Sequence, residues 1–558
     1  MIGSARPFLR FAVPTLLGAS ALAGDWTNLG GNAARNGASA EHGPVTAVPL
    51  WSNTADPSLI AWQPVIEGTR VFTVRESGFP QNGGAANDAI VAYDLDTGQE
   101  LWRTTLPFNG NTSQQWIAWI GGAKDGRLYA SRASNNQPQP IQALDAATGA
   151  PLWTSIAQTD GFAYDGVVFA PDGDPIVGDQ TDVYRIDSQT GQTVWHLSRV
   201  RSVSGNCGVA ATASAVFADE VVGGGQRILK VDLATGLVLY ASPTMPGFTE
   251  QNAPFLSPDG QAVYFARTQN NVSVDFLYAF EDTGSALVQK WSRPVLWTTS
   301  HEHGIGPDGS IYTFLQSGEF VRLDPVTGNV VDTAGVLSPL GSASPKTAVD
   351  AGGNVYVSNG WASSPANNGR VWAFNADLSW NYFTLTLSRP NQGGPALGSK
   401  GTLVACDLGG VHAWRAPAAT IHCQGKLNSQ GCLPAISFAG APSATQASPF
   451  AIGATMVLNN KIGLFFYGTS GPASSPFQGG TLCVKSPIRR TPVQASGGNP
   501  PPDDCTGVYA FDFNAHIQGG TDPNLVAGAQ VDAQYWARDP LDPFTTSLSD
   551  AVEFTILP

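Results

Sequence analysis

The phrase Asp-x-x-Thr-Gly, followed closely by an aromatic or apolar residue, recurs along this chain and constrains its fold more than any other feature. It reads YDLDTGQELW (93–102), ALDAATGAPLW (143–153), RIDSQTGQTVW (185–195), KVDLATGLVLY (230–240) and RLDPVTGNVV (322–331), with a looser copy, AFEDTGSALVQKW, at 279–291. The glycines of successive copies lie 42 to 51 residues apart. That spacing is the period of a four-stranded propeller blade.

A second landmark lies between the copies and predicts β-hairpins. It is a strand-like run interrupted by Asp-Gly or Gly-Gly, which is a strong hairpin signal because glycine takes the positive φ that tight hairpin turns need. The hairpins are AKDGRLYAS (123–131), APDGDPIVG (170–178), SPDGQAVYFA (257–266), GPDGSIYTF (306–314) and DAGGNVYVSN (350–359). Each blade is therefore expected to contain an inner strand, this hairpin, a third strand ending at the aspartate, the Asp-x-x-Thr-Gly turn and an outer strand.

The repeated residues have structural roles in this interpretation. Asp and Thr side chains are expected to bond turn amides, Gly to supply the left-handed backbone position, and Trp to pack between neighbouring blades. The predicted turn and packing residues are Asp94, Thr97, Gly98, Trp102, Asp145, Thr148, Gly149, Trp153, Asp187, Thr190, Gly191, Trp195, Asp232, Thr235, Gly236, Trp291, Asp324, Thr327 and Gly328.

The blade count depends on the two ends of the repeat. A degenerate outer strand lies in VWAFNADLSWNYFTLTL (371–387), and GGPALGSKGTLVACDLGGVHAWRAP (393–417) supplies three further strands without an outer one. PLWSN (49–53) is an outer-strand phrase with no blade before it. We expect this N-terminal strand to complete the last blade, since closure removes exposed sheet edges. The prediction is an all-β, eight-bladed β-propeller, with seven blades as the alternative.

The repeat resembles that of the pyrroloquinoline-quinone-type (PQQ-like) β-propeller family over roughly residues 25–416. The opening DWTNLGGNAARNG (25–37) is also similar to the usual mature start of its members. The family contains quinoprotein alcohol dehydrogenases and an outer-membrane assembly scaffold lipoprotein. The resemblance implies the fold, and a fold alone does not determine function.

Residues 1–23 have the pattern of a secretory signal peptide. Arg6 and Arg10 precede an apolar run at 11–22, and the small residues Ala21 and Ala23 lie before the expected cleavage site. A buried N-terminal helix is the alternative. We therefore expect an exported chain, secreted, periplasmic or at the cell surface, with the propeller at 24–417.

The last segment, 418–558, is expected to be a small disulfide-containing β-sandwich-like module. Cys423, Cys432, Cys483 and Cys505 lie in it, and in an exported chain they predict two disulfides. Three pairings are open, of which Cys423 with Cys432 and Cys483 with Cys505 is the most local. Zinc is the competing interpretation, although the spacing lacks close zinc knuckles. The segment resembles C-terminal modules of large secreted bacterial proteins, which suggests attachment or ligand binding.

One cluster in the propeller could bind a transition metal. His301, Glu302 and His303 lie on the predicted inner strand of the sixth blade, where alternation places both imidazoles on one face. No third convergent ligand position is identifiable, so polar residues hydrogen-bonded near the channel mouth are the alternative interpretation, and the one that we favour.

The composition of the chain and the absence of certain motifs narrow the range of possible functions. The net charge of −14 argues against nucleic-acid partners, and no later stretch suits a transmembrane helix. The chain lacks the Cys-Cys and Cys-x-x-Cys-His motifs that the resemblance would associate with quinoprotein dehydrogenases. We expect no catalytic residues and no cofactor in a monomeric, non-enzymatic protein that binds a protein or glycan. The alternatives are an extracytoplasmic oxidoreductase dependent on a metal or on PQQ with Ca²⁺ and, less favoured, an outer-membrane assembly scaffold.

Overall fold

The computed structural model divides the chain into two compact units, Met1–Ala416 and Pro417–Pro558. The predicted signal peptide, Cys207, His301 and Glu302 lie outside the described residues. The structure describes residues 25–56, 63–76, 88–110, 115–134, 137–159, 167–200, 208–247, 253–268, 275–296, 303–340, 345–360, 369–387, 393–416, 419–440, 442–444 and 449–556.

The first half of unit 1 begins with a strand, β1 (Val48–Asn53), and continues as four antiparallel sheets in chain order. Sheet 1 contains β2 (Val65–Glu67), β3 (Arg70–Glu76), β4 (Asp88–Asp94) and β5 (Glu100–Thr104). Sheet 2 contains β6 (Gln115–Lys124), β7 (Arg127–Ser134), β8 (Gln139–Asp145) and β9 (Pro151–Thr159). Sheet 3 contains β10 (Val167–Phe169), β11 (Pro175–Gly178), β12 (Asp182–Ile186) and β13 (Thr193–Ser198). Sheet 4 contains β14 (Ala210–Ala211), β15 (Ala215–Val222), β16 (Gly225–Asp232), β17 (Val238–Ala241) and β18 (Met245–Pro246).

The second half of unit 1 repeats the same order. Sheet 5 contains β19 (Phe255–Leu256), β20 (Ala262–Thr268), β21 (Asp275–Asp282) and β22 (Leu287–Val295). Sheet 6 contains β23 (Gly304–Ile305), β24 (Ile311–Phe314), β25 (Glu319–Leu323) and β26 (Val330–Val336). Sheet 7 contains β27 (Thr347–Val349), β28 (Val355–Ser358), β29 (Gly369–Phe374) and β30 (Asn381–Leu387). Sheet 8 contains β31 (Gly393–Gly398), β32 (Thr402–Cys406), β33 (Val411–Arg415) and, as its outer strand, β1.

The sheets follow one another in a closed ring, which makes unit 1 a β-propeller as predicted. The first strands of successive sheets are neighbours, and β31 of sheet 8 contacts β2 of sheet 1. Between sheets 5 and 6 the ring of Phe255 stacks on His303 with centroids 4.8 Å apart. β1 pairs antiparallel with β33, so the N-terminal strand completes the last sheet. This pairing was predicted from the orphan PLWSN phrase.

The hairpins within the sheets use the turn residues that the sequence indicated. Between β6 and β7, Asp125 and Gly126 both have positive φ, at 53° and 76°. Gly173, Gly260, Gly309 and Gly353 take positive φ in the corresponding turns of four other sheets. First strands that precede these turns, such as β10 and β27, are buried along their length because each lies between two neighbouring sheets.

Unit 2 packs a large sheet against a small one, which confirms the sandwich-like prediction. Its core contains Phe450, Ile452, Phe465, Tyr535 and Phe554, from facing strands. The large sheet contains β34 (Thr420–His422), β37 (Ile462–Gly468), β40 (Arg489–Arg490), β41 (Gln494–Ala495), β43 (Gln530–Arg538) and β44 (Thr546–Thr555). The small sheet contains β35 (Ala435–Ala439), β36 (Ala451–Val457) and β42 (Gly507–Asp512), followed by the helix α1 (Phe513–Gln518). A separate hairpin contains β38 (Pro472–Phe477) and β39 (Gly480–Val484).

Two disulfides close loops in unit 2, as the cysteine clustering predicted, but the most local pairing is wrong. Cys423 is bonded to Cys483, and Cys432 to Cys505, across sequence separations of 60 and 73 residues. Cys423 follows β34, whereas Cys483 belongs to the separate hairpin, so this bond ties the hairpin to the large sheet. The prediction from local spacing was wrong because the sandwich brings together strands that are distant in sequence.

The described helices include none that is long and apolar enough to cross a membrane.

Candidate functional site

The Asp-x-x-Thr-Gly turns have the geometry that their residue types suggested. In the first copy, Asp94 Oδ1 accepts hydrogen bonds of 2.8 Å from both the backbone N–H and the hydroxyl of Thr97. The same pair of bonds, at 2.6 to 2.8 Å, forms at Asp145, Asp187, Asp232 and Asp324. The hydroxyl bond from the threonine holds the pKa of these last four carboxyl groups below the usual range.

Tryptophan side chains join five of the turns to the preceding sheet. Trp102 Nε1 donates to the carbonyl oxygen of Ala146 at 3.1 Å, and its ring covers the α-carbon of Gly149. A Cβ atom on this glycine would overlap the indole, so the glycine is required by packing as well as by its φ of 72°. The same arrangement joins Trp51 to Leu95 and Gly98, Trp153 to Ser188 and Gly191, Trp195 to Leu233 and Gly236, and Trp291 to Pro325 and Gly328.

Sheet 4 replaces the tryptophan with a polar contact. Tyr240 donates its hydroxyl to Asp282, and Lys230 Nζ lies 2.6 Å from the other oxygen of that carboxylate. Asp282 belongs to the divergent copy of the repeat, whose Gly284 has no atom of a neighbouring segment near it. The loss of the tryptophan and the divergence of the next turn therefore occur together.

An N-terminal segment, residues 25–41, crosses the ends of the inner strands on the side of the Asp-Gly hairpins. Its carbonyl groups accept hydrogen bonds of 2.7 to 2.9 Å from backbone N–H groups in six different sheets. The side chain of Gln63 connects the segment to sheet 8 as well, because it accepts a hydrogen bond from Gly30 N and donates one to Pro395 O. The donors and acceptors are Ile66 to Trp26, Ala123 to Thr27, Ala211 to Ala33, Leu256 to Ala34, Ile305 to Asn36 and Val349 to Gly37.

The N-terminal segment forms the floor of an open depression, which we call the axial bowl. The bowl has a volume of about 600 Å³. Its floor is made by small residues of the segment, among them Ala33, Ala34 and Ala38, and its wall by the hairpin turns of sheets 2 to 5, including Ala213 and Pro258. The residue-based prediction missed this site, since its contacts are backbone bonds without periodicity. The similarity of DWTNLGGNAARNG to a family start was the available signal.

Acidic side chains beside the bowl accept hydrogen bonds from backbone N–H groups of turns. Asp25 Oδ1 accepts from Gly68 N at 2.7 Å, and Glu67 Oε1 accepts from Gly126 N at 2.8 Å. Burial raises the pKa of both carboxyl groups. Within the described ranges, no group of three or more His, Cys, Asp or Glu residues is placed to hold a metal ion.

His303 is buried at the start of sheet 6. Its Nδ1 lies 2.9 Å from Thr313 Oγ1, and its ring stacks on Phe255. Burial lowers the pKa of the imidazole to about 3. These contacts agree with a structural role, while the metal hypothesis stays untested because its other two residues lie outside the described part of the chain.

Comparison with known proteins shows that this chain is similar to β-propeller proteins. Residues 86–334 match the family model described as outer membrane protein assembly factor BamB. No curated protein matches the chain in sequence. Among solved structures, BamB from Moraxella catarrhalis is 16% identical, with 66% of this chain and 98% of that chain covered and a TM-score of 0.44. A quinohemoprotein alcohol dehydrogenase from Comamonas testosteroni is 13% identical, with coverages of 72% and 83% and a TM-score of 0.47. The C-terminal WD40 domain of Sif2 is 10% identical, with coverages of 67% and 99% and a TM-score of 0.47.

The family match covers all five full copies of the repeat and the looser copy, and the described residues around them form the sheets, turns and tryptophan contacts that the repeat predicts. Residues 86–334 therefore match the PQQ-like β-propeller family that the recurring phrase resembles.

Proposed function

We propose that this chain is an exported, non-enzymatic binding protein whose axial bowl receives a segment of a protein partner. The observation that carries the proposal is the floor of the bowl, which is fixed by backbone hydrogen bonds to six sheets. A preformed concave site on a rigid scaffold loses little conformational freedom on binding. The volume of about 600 Å³ lies within the range of ligand pockets.

The lining favours a protruding polypeptide segment over a cofactor. Alanines line both floor and wall, so a partner main chain can approach closely, and Asp25 and Lys124 offer opposite charges at one side. Export is supported by the two disulfides of unit 2, because such bonds persist mainly outside the cytoplasm.

A second candidate function is suggested by the family of outer-membrane assembly factors that residues 86–334 match. An assembly factor acts through protein contacts, so a scaffold role would use the same bowl or the turns around it. The extracytoplasmic oxidoreductase dependent on a metal or on PQQ and Ca²⁺ is the competing hypothesis, and it predicts different ligands.

The test compares two alanine-to-arginine variants of the full chain. Ala213 lies exposed in the wall of the bowl, whereas Ala147 is exposed in a turn of sheet 2 and is absent from the lining. A displayed random-peptide library should yield sequences that bind the wild-type chain and Ala147→Arg but not Ala213→Arg. Enriched peptides that bind all three equally would reject the bowl as the site.

A parallel titration addresses the oxidoreductase hypothesis. The protein is mixed with PQQ and Ca²⁺ and followed by absorbance and by dye reduction with alcohols and sugars. Stoichiometric cofactor binding with dye reduction would overturn the non-enzymatic proposal.

A further inference from the structure

Unit 2 contains a second concave site, separate from the proposed function of the propeller, which we call the hairpin pocket. It has a volume of about 390 Å³ and lies between the large sheet and the β38–β39 hairpin. Phe466, Trp536, Phe477 and Leu482 supply its apolar lining, and Gln478 and Arg490 its polar groups. Aromatic walls with a few polar groups are typical of small-ligand sites.

Strand alternation explains why aromatic side chains face this pocket. Phe465 and Tyr467 point into the sandwich core, so Phe466 between them points to the opposite face of the sheet. On that face Phe466 is paired in register with Arg490, and Leu464 with Trp536. The floor of the pocket is therefore built from adjacent strands of one sheet.

The hairpin wall is fixed to the sheet by independent contacts. The Cys423–Cys483 disulfide joins the hairpin to the end of β34. The buried side chain of Gln534 accepts from Cys483 N at 3.1 Å and donates to Thr481 O at 3.1 Å. These bonds hold the wall in place, so the pocket is preformed.

Gln478 is held at the tip of the hairpin with its amide group at the pocket. It has a positive φ of 48°, which is unfavourable for a residue with a side chain. Its backbone oxygen accepts from Lys426 Nζ at 2.8 Å, and its side-chain Oε1 accepts from Trp536 Nε1 at 3.0 Å. The amide nitrogen is then oriented as a donor beside the indole ring.

Arg490 adds an available positive charge. The side chain is exposed and makes no hydrogen bond or ion pair with any residue in the described part of the chain. A guanidinium group matches a carboxylate through two parallel hydrogen bonds. In a chain of net charge −14, an uncompensated arginine beside an aromatic pocket favours an anionic ligand.

We propose that the hairpin pocket binds a uronic acid unit of an acidic polysaccharide. The C–H face of a pyranose ring suits the partly exposed Trp536 and Phe477 rings, the carboxylate suits Arg490, and a hydroxyl suits the Gln478 amide. A peptide strand is less suited, because β37 in the floor is paired along both edges, with β43 on one side and with β40 and β41 on the other. Its main chain is therefore not open to strand addition.

The experiment titrates the full chain calorimetrically with hexasaccharides of galacturonic acid and of mannuronic acid, and with the methyl-esterified galacturonate. The wild-type protein should bind at least one acid form and bind the ester at least about tenfold more weakly, since the charge-assisted bonds to Arg490 are lost. Arg490→Gln should weaken binding of the acid by about tenfold. Arg489→Gln is the matched control. Arg489 is paired with Tyr467, so strand alternation places its side chain on the opposite face of the sheet from Arg490, and this variant should retain binding.

Trp536→Phe, which keeps an aromatic wall, should weaken binding less than Trp536→Ala. Ala213→Arg in the propeller should leave uronate binding unchanged, which separates this proposal from that of the bowl. Absence of binding to both acids, or equal binding of acid and ester, would overturn the proposal. Tighter binding of a phenylalanine-terminated peptide that depends equally on Arg490 would replace the sugar by a peptide carboxylate and would also overturn it.

Discussion

The indole of Trp51 covers the α-carbon of Gly98 and donates its N–H to Leu95 O at 2.8 Å. Trp51 belongs to β1, the outer strand of sheet 8, whereas Gly98 lies in the turn of sheet 1. The contact that joins Trp102, Trp153, Trp195 and Trp291 to the following sheet thus also joins the last sheet to the first. Ring closure uses the same repeated unit as the rest of the ring, in addition to the strand pairing of β1 with β33.

Gly98→Ala is expected to destabilise the propeller more than Gly126→Ala. Both glycines have positive φ, so each substitution incurs a backbone cost of about 1–2 kcal/mol. Only Gly98 is covered by an indole, and overpacking adds roughly 1–3 kcal/mol. Denaturant unfolding of the two variants measures the difference. Equal losses of stability would show that the Trp51 contact does not constrain this position.

Removal of the N-terminal segment should separate two sources of stability. A chain lacking residues 25–44 loses the acceptors of six inner-strand N–H groups, which at about 0.5–1.5 kcal/mol each should lower the melting temperature of a still monomeric protein. A chain lacking residues 25–55 also loses β1, exposes the edge of β33 and should aggregate. Calorimetry and light scattering provide the measurements. If the longer deletion stays monomeric and as stable as the shorter one, closure by β1 is unimportant.

The turns and tryptophan contacts could be predicted from the sequence because their residues interact within a repeat or between adjacent copies. Asp94 and Thr97 are three residues apart, and Trp102 reaches the equivalent turn one period later. The N-terminal floor of the bowl could not be predicted in this way, since its bonds join backbone carbonyl groups, which carry no side-chain signal, to six strands that are distant in sequence. The predicted disulfide pairing was wrong for a similar reason, because the topology of the sandwich determines which cysteines lie close together.

Peptide mapping without reduction should recover Cys423 linked to Cys483 and Cys432 linked to Cys505. The loops of 60 and 73 residues are long, so loss of either bond should lower the free energy of unfolding of unit 2 by roughly 2–5 kcal/mol. Cys432→Ser/Cys505→Ser and Cys423→Ser/Cys483→Ser double variants test the bonds separately. Linked peptides containing Cys423 and Cys432 would show that the pairing described above is wrong.

His303 should make the stability of the propeller fall in acid. Burial lowers its pKa to about 3 in the folded chain, below the usual value near 6.5 for an unfolded chain. Between these values the unfolded chain binds a proton that the folded chain does not, so the free energy of unfolding decreases as the pH falls from about 6.5 toward 3. His303→Gln should reduce this slope by up to about one proton. An unchanged slope would mean that the imidazole is protonated inside the fold.

Asp532 is expected to have the opposite effect on the pH dependence of stability, in unit 2. Its carboxyl group is fully buried on β43, with Glu553 opposite it in the strand register and His422 Nε2 at 3.2 Å from Oδ1, in a geometry that makes no hydrogen bond. Burial, with a further contribution from Glu553, raises the pKa of Asp532 to about 7. The neutral acid is therefore the form that the fold favours.

The sign follows from the two pKa values. Between about pH 4 and 7 the folded chain keeps a proton that the unfolded chain has lost, so the stability of unit 2 should decrease as the pH rises through this window. Asp532→Asn mimics the neutral acid and should remove this decrease, so that the variant gains stability over the wild-type chain at pH 8 and differs little from it at pH 4. Chemical unfolding followed at both pH values checks the prediction. A variant that is less stable than the wild type at pH 8 would show that the ionised carboxylate is compensated by His422.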